Sequence, residues 1–412
     1  MNILIIGGSG DAPSANSVCV KNMAQEFIRR GHNVWNLAEG DSYVRRYGNW
    51  DGITLTQVPA DYHTRLARKV EKTSDMFLKA WFKIESFFRH LLILPLYPCT
   101  TISRSRTVLM RAKEIVLEND ILIVVTIFNS YENIYAGIRL KQTMRKKIRV
   151  ISYHLDLRTA SLNSSSLIRS FVRFNATSSI VKESRVVDRM LIPYSGQKEM
   201  KKIKGLVADK VLYVGLPVYI TEGEKEKCIL PFEKDCINVI YIGTLSIDNR
   251  DPRPILNVIE KVSKKISKKI IVHFWGNAGG VVPVLDVSPV AVYHGTIDNK
   301  YVRYVMENAD FLLNIGNSIA YDMLPSKTFG MFATGKPIIN VVNHPMDATL
   351  PFFARYGHSI DLYLFDKYID NTDILSEGIM RLEGIIKKNV DGLFDDFKPE
   401  TICNLILGQD EE

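Results

Sequence analysis

The chain contains few cysteines, and none of their spacings is typical of a metal site. Five cysteines occur among 412 residues, an odd number, and no two form a Cys-x-x-Cys pair. This pattern argues against a disulfide framework and against a zinc site, and it favours a reducing cytosol. We therefore expect a cytoplasmic protein without a metal site. The cysteines are Cys19, Cys99, Cys228, Cys236 and Cys403.

Long hydrophobic runs are also missing. The apolar stretch LLILPLYPCTTI, from Leu91 to Ile102, contains two prolines and is too short to span a bilayer. Met1 leads directly into an apolar strand pattern without a basic leader, so we expect no signal peptide. We therefore expect a protein that does not cross a membrane, although contact with a membrane surface stays open.

Positive charge, by contrast, is in excess. The formal net charge is +8 and the pI is about 9.0, which favours an anionic partner. Residues 65–115 mix basic and aromatic side chains, a pattern that fits an amphipathic helix on an anionic membrane surface. The pattern fits equally well a core-packed helix pair with a solvated basic face. We expect no nucleic-acid partner. The aromatic residues are Phe77, Trp81, Phe82, Phe87 and Phe88.

Strand and helix patterns alternate along the chain in two series. The first lies in residues 1–216 and the second in residues 217–397, followed by a tail at 398–412. Alternation of this kind predicts two Rossmann-like, doubly wound α/β domains that face a central cleft. The predicted strands are Asn2–Ile6, Asn33–Leu37, Ile53–Val58, Ile121–Thr126, Val150–His154 and Arg189–Ile192, then Val239–Ile242, Ile270–Trp275, Val290–Tyr293, Phe311–Ile315 and Pro337–Val342. The predicted helices include Val18–Arg30, Pro254–Lys264, Lys300–Asn308 and Pro325–Ala333.

The first strand leads into a glycine-rich turn, GGSGDAPSAN. A dinucleotide fingerprint requires Gly-x-Gly-x-x-Gly, and here Pro13 stands at the third glycine position. Glu39 follows the second strand, where an acid that binds a ribose would lie. An oxidoreductase that uses NAD at these glycines therefore stays an alternative, and a tight strand-to-helix turn explains the glycines without any ligand.

The stretch GNSIAYDMLPSKTFGMFATGKPIINVV, from Gly316 to Val342, has the pattern of an anion site. Pro325 suits a first helical turn, and Gly335 followed by Pro337 predicts the helix end. The helix would present the amides of Ser326 and Lys327 at a strand end. Free amides and a lysine charge attract a phosphate group.

The same residues resemble a known family. PSKTFGMFATGKPII is similar to the donor-binding helix of GT-B glycosyltransferases, particularly the retaining, family-4-like group. YIGTLSIDNRDPRPIL resembles the first strand and phosphate-side loop of their second domain, and HFWGNAG resembles their next strand end. In the first domain, MAQEFIRRGHNVWNL resembles their first helix and second strand. The resemblance is strongest from Tyr241 to Val342.

This resemblance implies a donor site with two acids eight residues apart. The first, at the donor sugar, falls on Asp322, whereas the ribose-binding position holds Gly330, which cannot bond a ribose. Thr244 stands where the family often has arginine, so Arg250 or Arg253 would supply that charge. The resemblance also places Gly243, Gly276, Asn317, Ser326 and Lys327 against the donor.

In the first domain the resemblance gives His154, at a strand end, a contact with the donor sugar. Asp156, two residues further on, would orient His154 or an acceptor hydroxyl, or would only cap a turn. The glycine-rich loop would form the acceptor wall of the cleft. Its residues in this role are Gly8, Gly10, Asp11 and Asn16.

The resemblance implies a metal-independent enzyme that transfers a sugar with retention from a UDP- or GDP-linked donor, without a cofactor. An Asp-x-Asp motif for a metal-bound diphosphate is missing. The acceptor would be a glycan or a lipid-linked saccharide, in bacterial surface polysaccharide synthesis at the inner face of the membrane. Because Gly330 replaces the ribose-binding acid of the family, a catalytically silent subunit remains an alternative. A sugar-nucleotide 2-epimerase of the same fold is a further alternative.

Overall fold

The computed structural model describes residues 1–8, 10, 15–40, 48–71, 73, 75–93, 97–99, 101–144, 147–155, 166–220, 226–319, 321, 324–384 and 387–409. The chain forms two compact units. Unit 1 comprises Met1–Pro217 and Asp396–Glu412, and unit 2 comprises Val218–Asp395. Each unit contains a mainly or fully parallel sheet with helices, so the predicted fold class of two doubly wound α/β domains is confirmed.

Unit 1 contains an eight-stranded sheet of order β3-β4-β2-β1-β5-β6-β7-β8. Its pairs are parallel except for the antiparallel edge pair of β3 and β4. The central strands are apolar on both faces because helices cover both sides of such a sheet. The strands are β1 (Asn2–Ile6), β2 (Asn33–Gly40), β3 (Gly48–Trp50), β4 (Ile53–Pro59), β5 (Ile123–Phe128), β6 (Arg149–His154), β7 (Arg189–Pro193) and β8 (Val211–Val214).

Most helices of unit 1 bury apolar side chains, whereas the helix Met76–Ile93 is largely exposed along its described side chains. In the first helix, Val20, Met23 and Phe27 are fully buried on one face, in agreement with the sequence pattern. The helices are α1 (Ala15–Arg29), α2 (Tyr62–Glu71), α3 (Met76–Ile93), α4 (Ile102–Glu118), α5 (Tyr131–Thr143), α6 (Ser166–Val186) and α7 (Gln197–Met200). No helix within the described ranges is long and apolar enough to cross a bilayer.

Unit 2 contains a six-stranded, fully parallel sheet of order β11-β10-β9-β12-β13-β14. Its strands are β9 (Ile237–Ile242), β10 (Ile270–Trp275), β11 (Ala291–Tyr293), β12 (Phe311–Ile315), β13 (Ile338–Val342) and β14 (Ser359–Tyr363). Its helices are α8 (Arg253–Lys265), α9 (Val282–Asp286), α10 (Asn299–Asn308), α11 (Ser326–Phe332), α12 (Leu350–Tyr356) and α13 (Asn371–Leu382).

The last helix, α14 (Pro399–Leu407), differs from the predicted tail because it belongs to the fold of unit 1. It packs on α1, where the Cys403 thiol contacts the Met23 carbonyl at 3.5 Å. Arg30, just after α1, donates to the Asn404 side chain at 2.5 Å and to the Glu400 carbonyl at 3.1 Å. Residues 398–412 are therefore a part of unit 1 rather than a separate segment.

Candidate functional site

Two glycine turns close the carboxyl ends of β9 and β10 in unit 2. Gly243 (φ 154°) and Gly276 (φ 120°) both lie where side chains are strained. A Cβ atom on Gly276 would lie only 2.3 Å from the Gly243 carbonyl oxygen. The Gly276 amide donates to the Gly295 carbonyl at 2.8 Å, which ties the turn after β11 to the other two. These contacts fix a strand-end surface of bare backbone, as a closely approaching ligand requires.

Lys327 of α11 brings its ammonium group to this surface. A Cβ atom added to Gly243 would lie 3.1 Å from the Lys327 Nζ atom. The same Nζ atom donates a hydrogen bond to the Tyr241 hydroxyl at 3.2 Å. It also lies 4.2 Å from the centre of the Tyr241 ring, a cation–π distance. Burial lowers the pKa of Lys327 well below its ordinary range, and the charge of Arg250 lowers it further. The lysine thus faces another cation in a poorly solvated place.

Arg250 is held in the loop between β9 and α8. Its Nε atom donates to the Asn317 Oδ1 atom at 2.8 Å, and the side-chain Nδ2 atom of Asn249 donates to the same oxygen at 3.2 Å. The Ser318 amide in turn donates to the Asn249 carbonyl at 2.9 Å. These bonds join the loop after β9 to the loop after β12. Asn317, predicted to touch the donor, therefore orients Arg250.

The two predicted arginines differ in their partners. Arg253 is exposed and neutralised by Asp251, with its Nη2 atom 2.6 Å from Oδ2 and further bonds from Nε. In the described part of the chain, no carboxylate lies within ion-pair distance of Arg250 or Lys327. Cations that lack a carboxylate in a poorly solvated place favour an anionic ligand. Of the two predicted arginines, Arg250 is therefore the one whose surroundings favour an anionic ligand.

Helix α11 is shorter than the predicted helix Pro325–Ala333. The helix begins at Ser326 and has seven residues, and Pro325 precedes it as the N-cap residue. Gly335 is left-handed (φ 71°), as the sequence predicted. At Gly330 a Cβ atom would meet nothing within 4 Å. A cavity of about 140 Å³ lies there, lined by Ile240, Ile242, Val302, Met306, Leu312, Lys327, Gly330 and Met331.

In unit 1, His154 ends β6 as predicted, but its side chain is fully enclosed. The ring has no exposed surface, and its Nε2 atom lies 2.8 Å from the Oε1 atom of Glu183, which is also fully buried. The ring stacks on Phe128 with 5.3 Å between the centroids. The exposure therefore differs from the prediction, because an acid from α6 reaches the strand end. A catalytic role for His154 stays a prediction.

The other predicted residues of unit 1 lie at the start of the chain. Gly8 and Gly10 are buried with positive φ, and Asn16 lies in the first turn of α1. Glu39 forms an ion pair with the buried Arg104, with Oε2 and Nη2 2.5 Å apart. This pairing weakens the NAD alternative, in which Glu39 would bind a ribose. Asp11, Asp156 and Asp322 lie outside the described residues.

Sequence reasoning missed three side chains at the strand ends of unit 2. Tyr241 contacts Lys327, and an aromatic hydroxyl in an otherwise aliphatic strand was the available signal. Asp347 is buried, and its Oδ1 atom accepts from the Thr349 amide and hydroxyl at 2.8 and 2.7 Å. Burial raises the pKa of Asp347. His344 stacks on Tyr321, with 3.5 Å between the ring centroids. Tyr321 directly precedes Asp322 in the chain. Within the described ranges, no three potential ligand side chains cluster as a metal site would require.

Solved structures share this architecture over the full length of the chain. Sucrose-phosphate synthase from Thermosynechococcus elongatus superimposes with a TM-score of 0.59 at 12% identity, covering 99% of this chain and 98% of that one. WaaG, a glycosyltransferase involved in lipopolysaccharide biosynthesis, gives 0.58 at 11% identity, covering 98% and 100%. UDP-GlcNAc 2-epimerase from Methanocaldococcus jannaschii gives 0.56 at 10% identity, covering 99% and 100%. The sequence matches no family profile and no curated protein.

These similarities define the class of the fold. The chain has the GT-B architecture of two Rossmann-like units, as the sequence motifs implied. At identities of 10 to 12%, the fold is what the comparison establishes, and the neighbours include both glycosyltransferases and an epimerase.

Proposed function

We propose that this chain is a glycosyltransferase that moves a sugar from a UDP- or GDP-linked donor to a glycan or lipid-linked acceptor. The observation that carries the proposal is the cation pair at the strand ends of unit 2. Lys327 and Arg250 contact neutral oxygens and have no described carboxylate partner. A diphosphate would supply the missing negative charge, and an arginine fork can engage two of its oxygens.

The proposed reaction proceeds with retention. The bond between the anomeric carbon and the donor phosphate oxygen breaks first, and positive charge develops on the sugar. The acceptor oxygen then bonds to the same face of the anomeric carbon, and its proton passes to a donor phosphate oxygen. Lys327 and Arg250 would stabilise the charge that gathers on the leaving diphosphate. The reaction needs no protein base in this scheme.

Binding of nucleotides tests the donor site directly. We expect UDP or GDP to raise the unfolding free energy by about 2.7 kcal/mol at a hundred times its dissociation constant, measured by thermal shift. Lys327→Ala should weaken this binding while the fold survives. Lys336→Ala is the matched control, because Lys336 is another lysine of unit 2 whose pKa burial lowers. Equal nucleotide affinity in the wild type and Lys327→Ala would refute the placement of the diphosphate.

Product analysis separates the alternatives. A transferase consumes nucleotide sugar only with an acceptor and retains the anomeric configuration, whereas an epimerase converts the nucleotide sugar alone. An oxidoreductase would bind NAD, and its affinity would depend on Glu39. A silent subunit would bind nucleotide but transfer sugar only with a partner protein.

The exposed side chains of helix α3 in unit 1 suggest where the proposed acceptor is found. Its residues Phe77, Trp81, Ile84 and Phe88 follow helical spacing on one face, and each has more than half of its surface exposed. The opposite face packs on α2, where Phe82 stacks on His63 at 5.0 Å. The exposed face is therefore rich in aromatic residues, and Trp81 at its edge also donates to the Tyr62 hydroxyl of α2 at 3.5 Å. Its neighbours Arg65, Lys69, Lys79 and Lys83 are exposed and basic.

We propose that this aromatic face of α3 lies on an anionic membrane, next to lipid-linked acceptors of surface polysaccharide synthesis. The aromatic residues would enter the interface and the basic ones would meet anionic headgroups. We expect sedimentation with phosphatidylglycerol vesicles, but not with phosphatidylcholine vesicles, and its loss in a Phe77→Ser, Trp81→Ser, Phe88→Ser variant. The control variant Ile229→Ser, Tyr368→Ser removes two large, strongly exposed hydrophobic side chains of unit 2. Dimerisation without vesicle binding would point to a second copy of the chain instead.

A further inference from the structure

A buried tyrosine hydroxyl connects the two cations of unit 2. Tyr241 lies in β9 with no exposed surface, and its ring packs on Phe274 with 5.6 Å between the centroids. The hydroxyl reaches the carboxyl end of the strand and donates a hydrogen bond to the Thr244 carbonyl at 2.8 Å. This bond leaves the lone pairs of the hydroxyl oxygen as acceptors.

Both cations lie near this hydroxyl. Lys327 donates to it at 3.2 Å, and the charge of Arg250 acts on it. Burial raises the pKa of Tyr241 to about 12, although the charge of Arg250 opposes the shift. The hydroxyl is therefore neutral at physiological pH. It fixes the positions of two cations without neutralising either of them.

Two like charges that lie near the same neutral hydroxyl repel each other, so this arrangement needs a strong local anchor. The anchor is rigid, because the ring is enclosed in the core and Thr244 fixes the hydroxyl hydrogen. We propose that Tyr241 is a positioning residue that sets the spacing of Lys327 and Arg250 for the two phosphates of the donor. This inference rests on the proposed function, since it assigns the diphosphate to that cation pair.

Removal of one oxygen atom tests the inference. Tyr241→Phe keeps the ring in the core and deletes the hydroxyl that accepts from Lys327 and lies near Arg250. We expect the affinity for UDP, GDP and inorganic pyrophosphate, measured by calorimetry, to fall roughly tenfold. In turnover assays, KM for the nucleotide sugar should rise more than kcat falls. An unchanged affinity for all three ligands would overturn the inference.

A second tyrosine provides the matched control. Tyr356 of α12 is also fully buried in unit 2, and its hydroxyl donates to the Lys336 carbonyl at 2.7 Å. Tyr356→Phe should lower the unfolding temperature about as much as Tyr241→Phe does. It should leave pyrophosphate affinity within twofold of the wild type. Equal losses of affinity in the two variants would show a general effect of destabilisation and contradict the positioning role.

A double variant distinguishes positioning from a structural role. In a Lys327→Met background, Tyr241→Phe should weaken pyrophosphate binding by much less than its effect in the wild type, because one of the two positioned cations is gone. Full additivity would contradict the inference. If Lys327→Met alone leaves nucleotide binding unchanged, the proposed function fails. If Lys327→Met weakens binding but Tyr241→Phe does not, the positioning role alone fails.

Discussion

The two units surround the ionisable side chains at their strand ends differently. In unit 1, His154 at the end of β6 is enclosed and bonded to the buried carboxylate of Glu183. In unit 2, Lys327 and Arg250 lie at the end of β9 and contact only neutral oxygens among the described residues. An ionisable side chain that already has a partner of opposite charge type inside the fold gains little from a ligand. A cation that contacts only neutral groups can still form an ion pair with an anionic ligand.

This difference supports the placement of the proposed ligand site in unit 2. Both units have parallel strands whose carboxyl ends can bind ligands. The fold alone therefore leaves two candidate edges, and the state of charge pairing separates them. Substitutions at the paired charges should affect stability, and substitutions at the unpaired ones should affect binding.

The largest effect is expected in unit 1. Glu183→Ala leaves the enclosed His154 ring without its carboxylate, and loss of one partner of a buried pair lowers the unfolding free energy by about 3–5 kcal/mol. Urea unfolding, followed by a probe in unit 1, measures the change. Glu183→Gln keeps an acceptor oxygen and should lower the stability less. A loss in Glu183→Ala below about 1 kcal/mol would show that the pair is not what holds this strand end.

In unit 2 the arginines should differ in binding rather than in stability. Arg250→Ala should weaken UDP or GDP binding by about ten- to a hundredfold, since a hydrogen bond to a charged group contributes about 1.5–3 kcal/mol. Arg253→Ala should change the affinity less than twofold, because Asp251 already neutralises Arg253. Calorimetric titration of both variants gives the comparison. Equal losses would mean that the Asp251 pair opens on binding.

The pH dependence of binding should follow Lys327. Burial lowers its pKa from the ordinary 10.5, so the ammonium form is lost at a lower pH than for an exposed lysine. A diphosphate prefers the ammonium form, and the affinity should therefore fall as pH rises through the lowered pKa, by at most about tenfold per pH unit. Titrations above about pH 7 avoid changes in phosphate ionisation. Lys327→Arg stays charged and should flatten the profile, whereas the same slope in both proteins would assign the titration elsewhere.

The smallest effect compares one glycine from each unit. Gly330→Ala places a Cβ atom in open space, so we expect the unfolding free energy to rise by about 0.5–1 kcal/mol, as in an ordinary helix position. Gly137→Ala in α5 would bring a Cβ atom to 2.4 Å from the Thr126 side chain and should lower it. Denaturant unfolding measures both. Nucleotide affinity should change less than twofold in Gly330→Ala, and a larger loss would assign the cavity to the ligand.

The sequence predicted most of the two sheets. The strands Asn2–Ile6, Ile270–Trp275 and Phe311–Ile315 have the predicted bounds, because buried parallel strands are short apolar runs with polar flanks. The strands β3, β8 and β14, all at sheet edges, were not predicted. Each is only three to five residues long, so the local sequence pattern is weak.

The site was less predictable because its contacts join distant parts of the chain. His154 was correctly placed at a strand end, but its enclosure depends on Glu183, 29 residues further on. Arg250 and Arg253 look equivalent in sequence, and only the positions of Asn317 and Asp251 distinguish them. Spacing along a chain predicts which edge of a sheet a residue reaches, but not which partner it meets there.

The return of α14 to α1 has a consequence for synthesis of the protein. Unit 2 is one continuous stretch, Val218–Asp395, whereas unit 1 is interrupted by it. On α14, Ile402, Cys403 and Ile406 are fully buried, so unit 1 exposes apolar surface until these residues leave the ribosome. Synthesis of unit 1 therefore starts before that of unit 2 and is completed after it. Unit 2 can fold before α14 of unit 1 has been synthesised.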